Sequence, residues 1–277
     1  MNAPLLARCT VCEHEKARRD PFFYEWRGRR FWIFRCTECT HQFVHPSVTP
    51  DDQALIYSDR YFSKEGDWVC GLYQDSYVEA ESQLKQEAHE ILDMLPLSSG
   101  RLLDIGCAGG VFLNEARTRG FDVFGIELNS SIAAHARSTY HLEVLTTRLE
   151  DVAANQWSHH FDVVTLLDCL EHVPQPLRAM KKIAQWLRPG GFVFIRGPLS
   201  NSPLARIKEG LRRTLRVTKH LPGYPLDANT FNKRSLERLL ELNSFRKAVW
   251  IGETTSFANL LAYSGASSAD TLSRARA

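Results

Sequence analysis

The chain has 277 residues, of which 44% are hydrophobic and 24% are charged, and its formal net charge is +2 at pH 7. These values are ordinary for a soluble globular protein, and so weak a net charge indicates neither a nucleic-acid nor a membrane partner. No apolar run approaches the length that spans a bilayer, and the segment from Met1 to Thr10 has no apolar signal-peptide core.

Four of the seven cysteines form two pairs near the N-terminus with the spacing of metal ligands. The pairs are Cys9-x2-Cys12 and Cys36-x2-Cys39, and 23 residues separate them. Each pair can bind a metal ion from a tight turn, and two such turns complete a tetrahedral site. The sequence therefore predicts a zinc ribbon over residues 1–46 with a structural Zn²⁺, because four thiolates leave no position for water.

The intervening segment is rich in aromatic residues and predicts two short strands joined near Gly28. The alternative for the four thiols is buried or redox-active cysteines, although a module this small is not readily stable by apolar burial alone. A nearby histidine, His14, His41 or His45, is a further candidate ligand in place of one cysteine. The total of seven cysteines is odd, and four of them have the spacing of metal ligands. Both observations favour a reducing compartment, so we expect a cytoplasmic protein.

Residues 47–98 are expected to form a connector and a helix, the latter over about 76–95 and ending at Pro96. Strands and helices then alternate through residues 99–263, which implies parallel neighbouring strands with right-handed crossovers. The predicted strands are 101–105, 122–126, 142–145, 161–167 and 191–196, and the predicted helices are 111–119, 130–139 and 176–186.

An insertion over about 197–235 interrupts this alternation. It contains a predicted helix over 204–219 with six cations and only Glu209 opposing them, whose default interpretation is a solvated face. Because this basic helix lies between the fifth predicted strand of the sheet and the final strand pair, it is also a candidate substrate lid for an anionic acceptor. A helix near 233–242 and strands at 247–251 and 257–263 follow, and the tail at 264–277 is expected to be disordered.

A glycine-containing turn at residues 104–110, D-I-G-C-A-G-G, lies between a buried strand and a helix. Glycines let the backbone approach a ligand closely, and the amides at the start of a helix face a ligand placed there. Glu127 ends the next strand, where a carboxylate can accept both hydroxyls of a ribose. A dinucleotide dehydrogenase has nearly the same pattern, but its third glycine is misplaced here.

Four further motifs follow in order: G-I-E-L at 125–128, F-D-V-V at 161–164, L-E-H-V at 170–173 and L-R-P-G-G at 187–191. Together with the glycine turn they resemble the class I S-adenosylmethionine-dependent methyltransferases over about residues 100–196. The resemblance implies an α/β fold, a seven-stranded Rossmann-like sheet with helices on both faces, with S-adenosylmethionine (SAM) as cofactor. The cysteine module resembles that of bacterial sugar and natural-product methyltransferases.

The resemblance also implies roles for individual residues. Asp104 would orient the glycine loop or reach the methionine ammonium through water. Glu127 would bind the ribose, with Leu128 beneath the adenine. The plain alternative makes Glu127 an exposed carboxylate at a strand end and the glycines ordinary turn formers. The remaining candidates are loop backbone (Gly106, Cys107, Ala108, Gly109), adenine-edge contacts (Arg148, Leu149) and the backbone at Asp168 near the ammonium.

The catalytic candidates are Glu171, His172 and His220, of which His220 follows the basic helix and is expected to face the pocket. Each can serve as a general base, although His172 can equally cap or pack, and a base is needed only if the nucleophile must lose a proton. Tyr57 and Tyr61 are expected either to fold over the pocket or to be ordinary packing residues.

The leading hypothesis is a methyltransferase acting on a small polar or anionic molecule such as a nucleotide-linked sugar. Methylation of RNA or protein, with the ribbon as docking module, and a non-catalytic SAM-binding scaffold are the alternatives. The weak net charge disfavours a nucleic acid, no membrane partner is expected, and the sequence defines neither the oligomeric state nor the methylated atom.

Overall fold

The computed structural model describes residues 7–62, 77–153, 155–200, 218–253 and 257–264. Within these ranges the chain forms two β-sheets and six α-helices. The strands are β1 (Ala17–Trp26), β2 (Arg29–Cys36), β3 (Gln42–His45), β4 (Gly100–Ile105), β5 (Phe121–Glu127), β6 (Glu143–Thr146), β7 (Phe161–Leu167), β8 (Leu187–Pro198), β9 (Lys219–Leu221), β10 (Asn229–Thr230), β11 (Phe245–Glu253) and β12 (Phe257–Ser264). The helices are α1 (Pro50–Ile56), α2 (Tyr77–Met94), α3 (Val111–Thr118), α4 (Ser130–Tyr140), α5 (Pro176–Trp186) and α6 (Lys233–Leu242).

The N-terminal sheet has five strands in the order β10-β3-β2-β1-β9. β1 and β2 form a hairpin through Arg27 and Gly28, both of which have positive φ, so the predicted turn near Gly28 is confirmed. The two edge strands come from the insertion: β9 pairs parallel with β1, and β10 pairs antiparallel with β3. The described end of the insertion is therefore part of the N-terminal sheet.

The larger sheet has seven strands in the order β11-β12-β8-β7-β4-β5-β6. β4 to β8 pair in parallel, whereas β12 runs antiparallel to β8 and β11 antiparallel to β12. Adjacent strand residues fall into different hydrophobic clusters: Leu102 packs with α2, α3 and α4, and Leu103 packs with α5 and α6. Both faces are thus covered by helices, which confirms the predicted fold class.

The observed boundaries differ from the predicted ones in a few places. β8 begins at Leu187 because this residue already pairs with Phe161, whereas residues 187–190 were predicted to precede the strand. α1 was not predicted, although Thr49 and Asp52 form a capping box around Pro50 at its first turn. The predicted basic helix over 204–219 and the predicted disordered tail over 264–277 lie outside the described residues except at their ends. There the predictions are wrong, because Lys219 belongs to β9 and Ser264 to β12.

No helix in the described part of the chain combines the length and the apolar character needed to cross a membrane.

Candidate functional site

A cavity of about 650 Å³ lies at the carboxyl ends of β4, β5 and β7. This is where open α/β sheets bind their ligands, and the volume suits a small molecule or cofactor. Of the ten predicted cofactor residues, Gly109 does not line the cavity. The nine that do are Asp104, Gly106, Cys107, Ala108, Glu127, Leu128, Arg148, Leu149 and Asp168.

The loop between β4 and α3 requires glycine at two positions for a physical reason. Gly106 has φ +78°, and a Cβ there would lie 2.9 Å from Cys169 Sγ. Gly110 has φ +82°, and a Cβ there would lie 2.5 Å from Leu142 Cδ1. Left-handed backbone is strained for other residues, and both positions also lack room for a side chain.

The backbone amides of this loop are used within the protein. Gly106 N and Cys107 N both donate to the carbonyl of Ile126, at 2.8 and 3.1 Å, and Ala108 N donates to Glu127 Oε2 at 2.9 Å. These three amides, which precede the start of α3 at Val111, are therefore engaged by the protein itself, and the expectation that the amides at the start of the helix face a ligand stays a prediction. The lining also offers carboxylate oxygens, which accept hydrogen bonds from a cation such as an ammonium.

Glu127 is 7% exposed, so the alternative of an exposed strand-end carboxylate is wrong. Its Oε1 accepts a hydrogen bond from Asn129 N at 2.8 Å, and its Oε2 accepts the bond from Ala108. Burial raises the pKa of Glu127, and the backbone hydrogen bonds partly oppose that rise. A carboxylate accepts about four hydrogen bonds, so Glu127 retains capacity for the hydroxyls of a ligand.

Asp104 is 2% exposed and accepts a hydrogen bond from Thr165 Oγ1 at 2.6 Å. Burial raises the pKa of Asp104 to about 7, and the nearby charge of Glu127 adds to the rise, against the opposing hydrogen bond from Thr165. Such a carboxyl group ionises more readily when a cation enters the cavity.

Carboxyl groups dominate the polar lining of the cavity. The two lining arginines are already paired: Arg148 with Asp151 at 2.5 Å, and Arg196 between Glu87 at 3.4 Å and Asp168 at 3.8 Å. The described lining therefore favours a positively charged ligand. The lining carboxyl groups are Glu87, Asp104, Glu127, Glu150, Asp168, Glu171 and Asp227.

His172 lies at one side of the same cavity. Its Nδ1 lies 3.3 Å from the carbonyl oxygen of Leu226 and 3.2 Å from Asp227 Oδ1. Burial lowers the pKa of His172, but the hydrogen bond to Asp227 and the charge of Glu171 outweigh it, so the net pKa is raised above 6.5. Glu171 is 6% exposed, and burial raises its pKa to about 7.

The structure does not bring His220 to the cavity. This residue is exposed on β9, where its ring lies 5.5 Å from that of Phe23. The expectation that His220 faces the pocket is wrong because β9 extends the N-terminal sheet along β1. Tyr57 and Tyr61 both line the cavity, and their rings also pack against each other with centroids 5.0 Å apart, so each alternative holds in part.

Gln53 and Asp227 are among the lining residues that were not singled out from the sequence. Gln53 follows the capping box of α1, so recognising that helix could have drawn attention to it. Asp227 carries no local signal, because its partner His172 is distant in the chain and packing alone brings them together.

The four predicted metal-binding cysteines form a cluster whose Sγ atoms all lie within 4.8 Å of one another. Cys9 and Cys39, and likewise Cys12 and Cys36, have Sγ atoms 3.6 Å apart. This separation is far longer than a disulfide bond of about 2.05 Å. It is close to the edge of about 3.8 Å expected for a tetrahedron with Zn–S bonds of about 2.3 Å, so the donor set fits a Zn²⁺ ion.

None of the three candidate histidines belongs to this cluster in the described part of the chain. His41 instead donates through Nε2 to Asn229 Oδ1 at 2.9 Å. The alternative in which a histidine replaces a cysteine ligand is therefore not supported by the geometry.

The strand order of the large sheet, the glycine loop after β4 and the cavity at the strand ends are those of the α/β methyltransferase fold. The chain belongs to the methyltransferase domain family, which matches residues 78–247. The class I resemblance predicted from the five motifs is thereby confirmed.

Curated relatives include ubiquinone biosynthesis O-methyltransferases from two bacteria. That of Albidiferax ferrireducens is 34% identical over 116 residues, which is 40% of this chain and 45% of the relative. That of Xanthomonas campestris is 38% identical over 115 residues, which is 39% of this chain and 47% of the relative. The chain therefore spans less than half the length of these relatives.

Solved structures share the fold at low sequence identity. A SAM-dependent methyltransferase from Methanosarcina mazei has a TM-score of 0.50 at 20% identity, over 63% of this chain and 96% of that chain. Haemonchus contortus phosphoethanolamine N-methyltransferase 2, solved with phosphomonomethylethanolamine and S-adenosylhomocysteine, has a TM-score of 0.53 at 15% identity, over 70% of this chain and 58% of that chain. At these identities the likeness concerns the fold alone.

Proposed function

We propose that this enzyme methylates a hydroxyl group of a small polar molecule and that His172 is the general base. The observation that carries the proposal is the position of His172, which lines the cavity with Nδ1 between two acceptors, Leu226 O and Asp227 Oδ1. With the proton on Nδ1, the lone pair of the neutral ring is on Nε2, which can take a proton from an acceptor hydroxyl. The names of the curated relatives favour oxygen as the methylated atom.

The residues of the glycine loop and of the neighbouring strand ends would hold SAM. When bound, this cofactor supplies an electrophilic methyl group on a sulfonium. Glu127 would accept hydrogen bonds from the ribose, and Asp104 would stabilise the positive charge. The rate would come mainly from holding the acceptor hydroxyl beside His172 and in line with the methyl group that it attacks.

An uncharged, hydroxyl-rich acceptor fits the described cavity better than an anionic one. Arg148 and Arg196 are both paired with carboxylates of the protein, and several further carboxyl groups line the cavity. An anionic acceptor would therefore meet like charges on this part of the wall. Sugars and phenols carry suitable hydroxyl groups.

We further propose that the four cysteines bind one structural Zn²⁺ ion and that the protein acts in a reducing cytoplasm. The cysteines in the described part of the chain are free thiols, which supports such a compartment. A role of the cysteine module as a separate docking unit for RNA or protein is less favoured, because β9 and β10 integrate its sheet with the rest of the enzyme.

The test begins with calorimetry of SAM binding and continues with mass spectrometry of products from a panel of catechols and free sugars, with nucleotide sugars as the anionic comparison. We expect SAM binding and a product that has gained one methylene on oxygen. His172→Gln should lose turnover and retain SAM binding, whereas His220→Ala, a matched control outside the cavity, should retain both. Wild-type turnover by His172→Gln, or methylation on carbon, would overturn the proposal.

A further inference from the structure

Asp227 reaches the cavity from an unexpected direction. It lies in the segment between β9 and β10, the two short strands that complete the N-terminal sheet. Its Oδ1 lies 3.2 Å from Nδ1 of His172, and the carbonyl of the preceding residue, Leu226, lies 3.3 Å from the same nitrogen. One short segment of the insertion thus supplies both groups that contact this ring nitrogen.

The residues that follow hold this segment in place. Ala228 accepts a backbone hydrogen bond from Val44 of β3 at 3.0 Å. Asn229 is 1% exposed, and its Nδ2 donates to the carbonyl of Val173, the residue after His172, at 2.6 Å. Asp227 is therefore anchored to the N-terminal sheet on one side and to the backbone of the His172 loop on the other.

We propose that Asp227 is the positioning residue of this methyltransferase, which keeps the proton of neutral His172 on Nδ1 and so directs the basic Nε2 to the acceptor. This inference rests on the proposed role of His172 as the base. Asp227 acts through His172, because a carboxylate that accepts a hydrogen bond from one ring nitrogen fixes the tautomer and the orientation of a histidine. The cysteine module thereby helps to build the acceptor side of the site.

Several groups from different elements face His172 and affect its protonation. Glu171 and Asp168 belong to its own loop, Asp227 comes from the insertion, and the ring of Tyr57 lies 5.8 Å away, after α1. Burial lowers the pKa of His172, while Asp227 and Glu171 raise it. Removing the charge of Asp227 should therefore lower the pKa of His172, because only Glu171 then remains to oppose the effect of burial.

The test is a titration of the full-length protein labelled with ¹⁵N in histidine, followed by long-range ¹H–¹⁵N correlation spectra. The His172 signals are assigned by their absence in His172→Gln. In the wild type we expect the neutral ring to be protonated at Nδ1. Asp227→Asn should shift the His172 titration midpoint to lower pH, and Asp227→Ala should also populate the Nε2–H tautomer. Asp122→Asn, an exposed carboxylate on β5, is the matched control and should change neither.

An unchanged midpoint and tautomer in both Asp227 variants would overturn the inference about Asp227 without touching the role of His172. If instead the spectra change as expected but His172→Gln turns over an identified hydroxyl acceptor at the wild-type rate, the proposed function fails, and with it any catalytic role of Asp227. If Asp227→Asn lowers the titration midpoint of His172 and reduces turnover with unchanged SAM affinity, the result supports both the role of His172 as the base and that of Asp227 as its positioning residue.

Discussion

The side-chain amide of Asn229 donates a hydrogen bond of 2.6 Å to the main-chain carbonyl of Val173. Its oxygen accepts hydrogen bonds from Thr10 Oγ1 at 2.8 Å and from His41 Nε2 at 2.9 Å. Thr10 lies between the first two cysteines, and His41 lies two residues after the last. One buried side chain therefore connects the cysteine module to the loop of His172.

Asn229→Ala should destabilise the protein substantially. It leaves three polar groups without a partner, and each such group costs about 1–3 kcal/mol when it stays buried. Asn229→Asp keeps the acceptor for Thr10 and His41 but places a second carboxylate oxygen against the Val173 carbonyl, so we expect it to be destabilising as well. Urea denaturation measures both variants, and a loss for Asn229→Ala below about 0.5 kcal/mol, the range of ordinary surface substitutions, would contradict the prediction.

The purified protein should contain about one zinc ion per chain if the four cysteines, whose Sγ atoms lie within 4.8 Å of one another, form the proposed site. Cys36→Ser should reduce both the zinc content and the thermal stability, because binding energy at a structural site is folding energy. Elemental analysis and thermal unfolding provide the measurement. Cys107→Ala, a thiol outside the cluster, should retain zinc, and a fully folded metal-free protein would refute the site.

Glu127→Ala should weaken SAM binding by about 1–3 kcal/mol, as loss of a hydrogen bond to a charged group predicts. It also removes the acceptor of the Ala108 and Asn129 amides, so the melting temperature must be measured alongside the calorimetry. Glu127→Gln keeps one oxygen acceptor and should lose less affinity. Unchanged affinity in Glu127→Ala would remove this residue from the binding site.

SAM affinity should fall as the pH drops through about 7. Burial raises the pKa of Asp104 to about 7 and also raises that of Glu127, so the free protein holds protons here in mildly acidic solution. A cationic ligand favours the ionised carboxylates, so binding releases protons, and the linkage weakens binding at lower pH. Calorimetry in buffers of different ionisation enthalpy measures the released protons. Binding heats that do not depend on the buffer at pH 6.5 would contradict the predicted proton release.

Gly106→Ala should cost more stability than Gly190→Ala, although both glycines have similar positive φ, +78° and +81°. The backbone strain of about 1–2 kcal/mol is common to both. A Cβ at Gly106 also meets Cys169 Sγ at 2.9 Å, whereas nothing lies within 4 Å of one at Gly190. Chemical denaturation compares the two, and the double variant Gly106→Ala/Cys169→Ala should recover part of the difference. Equal losses would show that the contact with Cys169 is not restrictive.

Much of the fold could be predicted because its signals are local. The strands and helices from Gly100 to Pro198 and from Lys233 to Ser264 repeat with periods that the sequence displays, and the glycine turn and Glu127 take their places from short spacings along the chain. The cysteine pairs are equally local, since each pair occupies a single turn. These features therefore follow from the sequence by itself, and the structure altered only their boundaries.

Tertiary structure decided which residues face His172. The strands β9 and β10 have three and two residues, too few to display any periodicity, so their pairing with the N-terminal sheet has no sequence signal. That pairing carries His220 away from the cavity and brings Asp227 into it. The sequence determined the cofactor side of this enzyme, where contacts are close in the chain. Packing between distant segments determined the acceptor side, because no local preference encodes which remote residue will meet a given side chain.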